Sequence, residues 1–330
     1  MSTGSINSGS RIDRLIAWFV NTGGVRRWFS TVMLLVLILG FSIMSDRFAT
    51  FTNGRVILEQ SVVLMVVALG ATIVIIGGSI DLSVGSIVGI CSVVAAMLVT
   101  STGIWQAVVV AVALGAMLGT LNGIIFAYGK IPSFIVTLGM LTAVRGLILG
   151  ITEGSPTIIR EDDFITLFSG RTFGISHGVI VVVAMFVITM FLLERVAFGR
   201  EVRAIGAGEK VAWLTGIRVN RAKVLMFLFS GLMAGVAGVL LAARAQVGDA
   251  TQGIGLELQV IAAVVIGGTP LTGGIGRAWG TIIGALTIGV LSNGLNILGV
   301  PSYWQSIITG FILVLAVFLT IDRKKIGIIK

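Results

Sequence analysis

The sequence predicts an all-α, polytopic membrane protein: a bundle of about ten transmembrane helices, some of them broken, with both termini in the cytoplasm. Three observations support this fold class. Of the 330 residues, 56% are hydrophobic and only 11% are charged, whereas soluble domains carry about 25% charged residues. The apolar residues form long continuous runs, and most lysines and arginines lie between alternate runs.

Ten apolar runs account for the predicted spans. A helix rises about 1.5 Å per residue, so a hydrocarbon core of about 30 Å needs about 20 helical residues. In chain order the runs cover residues 28–45, 57–76, 83–99, 104–128, 132–151, 178–193, 224–243, 258–266, 280–298 and 302–321. The eighth run is too short to cross a bilayer alone, so we expect a partial helix there.

The basic residues predict the orientation and the division of the chain. With cytoplasmic termini, 17 of the 23 lysines and arginines fall in cytoplasmic segments and 5 in outer ones, as the positive-inside rule predicts. The expected parts are a cytoplasmic tail with a possible interfacial helix (1–27), one transmembrane domain (28–321) containing a long cytoplasmic loop (196–223), and a basic cytoplasmic tail (322–330). A second long loop, 153–176, is expected outside. Arg145 lies inside a run, within reach of the outer headgroups, so we expect it to snorkel.

The residue types exclude several kinds of chemistry. One cysteine and one histidine leave no histidine-based metal cluster and no Ser-His-Asp triad. No Gly-x-x-x-x-Gly-Lys-Ser/Thr motif occurs, so the chain lacks a P-loop for nucleotides. The net charge of +9 comes from residues that flank apolar runs, and it therefore predicts orientation in the bilayer and no nucleic-acid binding. If the chain drives uphill transport, we therefore expect its energy to come from another subunit.

Glycine recurs at a spacing that predicts close helix packing. The chain has 45 glycines, and they repeat every four positions over 115–123, 231–235 and 280–284. Small residues at this spacing let membrane helices approach closely. We therefore expect a compact bundle.

A short repeat marks two broken segments. The residues Val-Ile-Ile-Gly-Gly-Ser at 74–79 recur as Val-Val-Ile-Gly-Gly-Thr at 264–269. Paired glycine-interrupted segments in the two halves of a transporter point to a pathway, because broken helices free backbone groups to line a cavity. The candidate pathway residues here are Gly77, Gly78, Ser79, Asp81, Ser83, Gly267, Gly268 and Thr269.

Asp81 follows the first glycine pair and has two interpretations. Either it caps the helix that we expect to begin at Leu82, or its charge serves the pathway, since charges at membrane depth are costly and usually functional. The sequence leaves both open.

The cytoplasmic loop predicts two very short helices bounded by glycines. Neither is long enough to be stable alone in water, and Trp213 and Leu214 need something to cover them. The cover is either the protein's own core or another chain. Aromatic anchors are enriched at interface hot spots, so we favour another chain that docks here, with Gly206 in a positive φ or close to that partner. The candidate docking residues are Gly199, Arg200, Glu201, Ala204, Ile205, Gly206, Gly208, Glu209, Trp213, Leu214 and Gly216.

Four stretches resemble the signatures of ribose-type sugar permeases. They are Ile-Gly-Gly-Ser-Ile-Asp-Leu-Ser-Val-Gly-Ser at 76–86, Lys-Ile-Pro-Ser-Phe-Ile-Val-Thr-Leu-Gly at 130–139, Phe-Gly-Arg at 198–200 with Ala-Ile-Gly at 204–206, and Ala-Ala-Val-Val-Ile-Gly-Gly-Thr at 262–269. Such permeases are the membrane subunits of ATP-binding-cassette (ABC) importers for ribose, xylose, arabinose, galactose and autoinducer-2. The resemblance extends over residues 44–321 with matching order and spacing.

The resemblance implies a monosaccharide importer of a bacterial inner membrane. It implies a second permease copy or paralogue, a sugar-binding protein outside, and a cytoplasmic ATPase that docks on the 196–223 loop. ATP and Mg²⁺ would be bound by that ATPase, and this chain would hold no cofactor.

Two departures from the family bear on the pathway. Relatives often have an acid where this chain has Gln259, which joins the candidate pathway residues. They also carry a Ser-Leu-Ser-Gly-Gly-Arg-Gly-like stretch in place of residues 270–277. Two other classes of function stay open: a self-contained ion-coupled carrier with Asp81 as its coupling carboxylate, and a non-transporting receptor or scaffold.

Overall fold

A computed structural model describes residues 24–320, which form thirteen helices and four two-residue strands. In chain order these are α1 (Gly24–Met44), α2 (Phe51–Ile76), α3 (Val84–Thr102), α4 (Ile104–Gly129), α5 (Ser133–Thr152), β1 (Thr157–Ile158), α6 (Asp162–Ser169), β2 (Arg171–Thr172), β3 (Ile175–Ser176), α7 (His177–Glu194), α8 (Ala197–Ala207), α9 (Glu209–Leu214), α10 (Val219–Ala245), β4 (Val247–Gly248), α11 (Leu256–Ile266), α12 (Ala278–Ile297) and α13 (Ser302–Thr320). Most of the 1–27 segment and the 322–330 tail lie outside the described residues.

Each of the ten predicted apolar runs coincides with a helix. Within residues 24–320, seven helices are long and apolar enough to cross a membrane: α2, α3, α4, α5, α7, α10 and α12. Helices α1 and α13 match the first and last runs, and α11 has only 11 residues, as the short eighth run predicted. The class of polytopic helical membrane protein is confirmed, while the count of ten spans, the orientation and the domain boundaries stay predictions.

Helix α2 is the centre of the bundle. Every residue from 61 to 76 is buried, and α7, α10, α11 and α12 pack around it. The hydroxyl groups of Thr72 and Thr281 lie 2.6 Å apart and link α2 to α12. A helix that is apolar on all sides is suited to this position. The end of α2 at Ile76 is therefore held by several neighbours at once.

Helices α4 and α10 contact each other through glycines, as the spacing predicted. A Cβ added to Gly231 would collide with the carbonyl oxygen of Gly115 and lie 2.8 Å from the Cα of Gly119. One added to Gly119 would lie 2.9 Å from the Cα of Gly231. Van der Waals packing of this kind drives helix association in membranes.

The repeated six residues form two copies of one helix stop. Gly78 and Gly268 both have a positive φ, of 75° and 90°. In each copy the residue after this glycine donates its N–H to the carbonyl five residues back. The Ser79 nitrogen lies 3.1 Å from the Val74 oxygen, and the Thr269 nitrogen lies 3.2 Å from the Val264 oxygen. This is the Schellman type of C-terminal cap, which glycine favours. The repeat therefore has a local structural cause.

The chain between α10 and α11 enters the bundle without helical structure. Gly248 packs against Val93 of α3, where an added Cβ would lie 2.8 Å from the Val93 Cα, and Gly253 packs against Gly85 in the first turn of α3. The segment 246–255 thus follows α3 back towards its beginning. Helix α11 consequently begins inside the bundle.

The long 153–176 segment is folded onto the bundle. Strand β1 pairs with β4, with Thr157 opposite Gly248, and β2 and β3 form a hairpin. Phe164 of α6 is fully buried, and α6 packs on α10. Arg171 holds Glu59 of α2 in a two-point ion pair at 2.8 and 2.9 Å.

The α4–α10 contact predicts different effects for two glycine-to-alanine changes. Gly231→Ala should destabilise the protein by about 1–3 kcal/mol, the usual cost of overpacking. Gly146→Ala on α5 is the matched control, because no atom lies within 4 Å of its added Cβ, and alanine favours a helix by up to about 1 kcal/mol. Thermal midpoints in detergent measure both. Equal thermal midpoints for Gly231→Ala and Gly146→Ala would contradict the close contact between α4 and α10.

Candidate functional site

Asp81 lies in a buried cluster of hydroxyl and amide groups. The side chain is 4% exposed. Its Oδ1 accepts hydrogen bonds from the backbone N–H of Ser83 at 3.0 Å and from the Ser83 hydroxyl at 2.6 Å, and its Oδ2 accepts one from the Ser230 hydroxyl at 2.8 Å. The Ser83 hydroxyl also accepts a hydrogen bond from Nδ2 of Asn122 at 2.8 Å. The cluster therefore joins the α2–α3 connection to α4 and α10.

The expected start of α3 is wrong by two residues. The helix begins at Val84, not at Leu82, and Ser83 is its N-cap residue. The reason is local: the Asp81 side chain binds the N–H two residues on, which forms a separate turn before the helix. Asp81 thus accepts a hydrogen bond from a backbone N–H, as the capping interpretation required. That N–H belongs to Ser83 in the turn before the helix, not to the helix itself.

The cluster shows how deep in the bundle helices α3 and α11 begin. Ser230, which binds Asp81, lies near the middle of the 27-residue helix α10. Gly238, two turns further along α10, packs against Cys91 of α3. The first turns of α3, and with them Gly253 and the start of α11, therefore lie near the middle of the bundle.

The predicted pathway residues differ in exposure. Gly77, Ser79, Asp81, Ser83 and Thr269 are buried, Gly267 is partly exposed, and Gly78, Gly268 and Gln259 are exposed. Asp81 and Ser83 are hydrogen-bonded to each other, whereas Gly77 and Gly78 lie at the end of α2 and Gly267 packs against Gly280 of α12. The structure therefore places these residues in several environments along the bundle.

Close backbone contacts join the end of α8 to both broken segments. The N–H of Gly274 donates to the Ile76 carbonyl at 2.8 Å. A Cβ added to Gly206 would collide with that carbonyl and lie 2.5 Å from the Gly274 nitrogen, and one on Gly273 would lie 2.7 Å from the Cα of Gly78. We call these five residues, Ile76, Gly78, Gly206, Gly273 and Gly274, the glycine junction.

The glycine junction corrects the expectation for Gly206. Gly206 lies within helix α8 and has no positive φ. Its close approach is to its own chain, at Ile76 and Gly274. The sequence could not show this, because the two contacts come from residues 130 and 68 positions away.

The predicted docking loop forms two short helices, α8 and α9, separated by Gly208. Among the predicted docking residues, Gly199 and Ile205 are buried, Glu201, Ala204, Gly206 and Gly208 are partly exposed, and Arg200, Glu209, Trp213, Leu214 and Gly216 are exposed. The Lys223 ammonium binds Glu209 at 2.7 Å and lies 4.3 Å from the centre of the Phe126 ring. Lys223 is buried, so this pair fixes α9 to α4 and α10.

Helix α9 presents an uncovered apolar surface. Val211, Trp213 and Leu214 are 65%, 66% and 67% exposed. Beside them lies an open groove of about 980 Å³, lined by Tyr128, Glu209, Lys210, Trp213, Gly216, Ile217, Arg218, Val219, Asn220 and Arg221. The described part of the chain leaves these apolar side chains without a cover.

Sequence analysis missed a second polar cluster at the middle of the bundle. Nη1 of Arg145 donates to the carbonyls of Gln252 at 2.6 Å and Ala250 at 3.1 Å, so Arg145 does not snorkel outwards. The carboxylate of Glu257 lies against Gly85, where a Cβ would collide with Oε2. A signal was present: Arg145 is the one lysine or arginine inside a predicted span.

No group of three or more His, Cys, Asp or Glu residues in the described part of the chain is arranged to hold a metal ion. Two ionisable groups at the middle of the bundle, Asp81 and Arg145, are instead engaged with hydroxyl and backbone groups. The arrangement can bind polar groups and hold broken helices in place.

Comparison with known proteins identifies the family. Residues 56–317 match the family described as "Branched-chain amino acid transport system / permease component". The ribose import permease protein RbsC of Escherichia coli (strain K12) is 41% identical over 301 residues, covering 90% of this chain and 93% of the relative. RbsC of Bacillus subtilis (strain 168) is 41% identical over 295 residues, covering 88% and 91%. The L-arabinose ABC transporter permease protein AraH of Azospirillum brasilense is 36% identical over 309 residues, covering 92% and 89%.

No solved structure matches the chain significantly. The family match covers most of the chain, and the match to RbsC of Escherichia coli covers about nine-tenths of both this chain and the relative. The resemblance read from the four sequence stretches is thereby confirmed. The chain belongs to the family of membrane permease components that includes these ABC transporter permeases.

Proposed function

We propose that this chain is the membrane-spanning permease subunit of an ATP-driven ABC importer that moves a monosaccharide or a similar small polyol across the bacterial inner membrane. The observation that carries the proposal is the extent of similarity to relatives named for ribose and arabinose, about nine-tenths of both chains. The family description names branched-chain amino acids, so the family handles more than one cargo. The relatives named here favour a sugar.

The proposal includes partners and an orientation. A second permease copy or paralogue, a cytoplasmic ATPase that binds ATP and Mg²⁺, and an extracytoplasmic sugar-binding protein complete the importer. Both termini and the α8–α9 loop lie in the cytoplasm, supported by the 17 lysines and arginines on that side against 5 on the other.

The ATPase docks on α9 in this account. Val211, Trp213 and Leu214 supply the apolar anchor, and the adjacent groove carries Lys210, Arg218 and Arg221. A partner surface with an apolar pocket and acidic groups fits such a site. The Lys223–Glu209 pair holds α9 against the bundle, so movement of the docked ATPase would be passed to the transmembrane helices.

The glycine junction provides the route for that movement. Its backbone contacts leave no space between α8, the end of α2 and the loop before α12. Packed interfaces of this kind respond to a displacement by rearranging rather than by deforming gradually. A shift of α8 would thus change the positions of the two broken segments relative to each other, which supports alternating access.

An uptake assay tests the proposed function against the ion-coupled carrier. In vesicles containing the permease, its ATPase and its sugar-binding protein, uptake should require ATP and persist when proton and sodium gradients are collapsed. Asp81→Asn should transport at the wild-type rate, because the amide oxygen can still accept from Ser83 and the amide nitrogen can donate to the Ser230 hydroxyl. Uptake that depends on an ion gradient, or that Asp81→Asn abolishes at normal membrane levels, would contradict the proposal.

Three loop variants separate docking from transmission. Trp213→Ala should weaken ATPase binding by about 2 kcal/mol, typical of an interface hot spot, with normal membrane insertion. Gly206→Ala should retain ATPase binding and lower uptake, because its Cβ meets Ile76 and Gly274. Gly208→Ala is the matched control, since the nearest atom to its added Cβ is 3.8 Å away. Pull-down and uptake measure the two properties. Unchanged ATPase affinity in Trp213→Ala, or full uptake in Gly206→Ala, would refute the corresponding role.

A further inference from the structure

A polar face lies where hydrocarbon would otherwise contact the bundle. Arg145, Gln252 and Glu257 are partly exposed and Gln259 is exposed. Arg145, Gln252 and Glu257 lie at the start of α11, near the middle of the bundle because Gly253 contacts Gly85, whereas Gln259 lies about 200° around α11 from Glu257. Charged and amide groups at this depth do not face lipid, since the cost is several kcal/mol per group. This face therefore needs protein or water beside it, and a water-filled path through the membrane protein would supply the water.

The hydrogen-bonding capacity of most groups near this face is already used. Arg145 donates to two backbone carbonyls, and both oxygens of Asp81 accept hydrogen bonds. The Gln252 side chain donates to the Val247 carbonyl at 2.9 Å and also binds the Ser92 hydroxyl. These contacts hold the 246–255 segment in one conformation.

Glu257 differs from its neighbours because one of its carboxylate oxygens accepts no hydrogen bond within the described residues. This oxygen, Oε2, is buried against Gly85. An unsatisfied buried acceptor costs about 1–3 kcal/mol, and more when it is charged. The carboxylate also lies near enough to Arg145 for electrostatic attraction, but Arg145 donates to carbonyls instead. A further donor would therefore bind here favourably.

We propose that Glu257 is a substrate-contacting residue of the translocation pathway, whose carboxylate accepts a hydrogen bond from a hydroxyl group of a polyhydroxylated substrate. This inference rests on the proposed function and deepens it. Hydroxyl groups are the donors that such a substrate carries in number, and their bonds to a carboxylate are charge-assisted. The contact requires α3 and α11 to move apart during transport, because Gly85 now covers this oxygen. One contact of this kind binds weakly enough for the substrate to leave.

The experiment pairs a side-chain change with loss of single substrate hydroxyls. Vesicles containing the complete importer take up either the transported sugar or each of its monodeoxy analogues, with the sugar-binding protein saturated in every case. In the wild type, one analogue should be transported about 10-fold more slowly, the effect of losing one charge-assisted hydrogen bond. In Glu257→Gln that difference should largely disappear, because the same contact is already weakened.

Two further variants control for folding and for general charge effects. Glu257→Asp keeps the charge but shortens the side chain, so it should insert normally and also lose the discrimination. Glu59→Gln removes a carboxylate that is paired with Arg171 away from this face, and it should discriminate among the analogues as the wild type does.

The outcomes distinguish failure of the inference from failure of the proposed function. If Glu257→Gln and Glu257→Asp transport every sugar as the wild type does, or slow all of them equally with the same discrimination, the carboxylate does not contact substrate. If the wild-type complex moves no sugar, the proposed function itself is wrong and the inference falls with it.

Discussion

Backbone polar groups inside a membrane protein must find partners within the protein, because hydrocarbon supplies none. This constraint governs the two places where the chain stops being helical in the middle of the bundle. At the first, Asp81 accepts from the N–H and hydroxyl of Ser83. At the second, Arg145 donates to the carbonyls of Ala250 and Gln252. An acidic side chain serves the donors of one break, and a basic side chain serves the acceptors of the other.

The end of α2 and the loop after α11 are connected to helix α8 at one end of the bundle. Helix α2 ends at a glycine stop, and the loop after α11 bonds back to it through Gly274 and Ile76. Gly206 of α8 lies against both. Each contact needs a residue without a side chain, so the glycines of these motifs serve close packing as well as turns. Helix α8 is thus packed directly against the end of α2 and the loop after α11.

The sequence predicted the features that depend on local pattern. Apolar runs predicted the helices, four-residue glycine spacing predicted the α4–α10 contact, and glycines predicted the ends of α8 and α9. It did not predict features that depend on distant residues: the direction of Arg145, the neighbours of Gly206, or the unpaired oxygen of Glu257. The start of α3 was misplaced because Asp81 forms a turn with Ser83. The six-residue repeat forms two copies of one helix stop, and its role in a pathway stays a prediction.

The central claim is that the start of α11 borders a water-filled path at the middle of the bundle. Reaction with a small water-soluble thiol reagent tests it, in a background where the one native cysteine, the buried Cys91, is replaced by serine. Gln259→Cys, at an exposed polar site of α11, should react readily in the reconstituted complex, whereas Leu149→Cys, at an exposed site of α5, should not, because lipid excludes the reagent. A modified Leu149→Cys together with an unreactive Gln259→Cys would contradict the account.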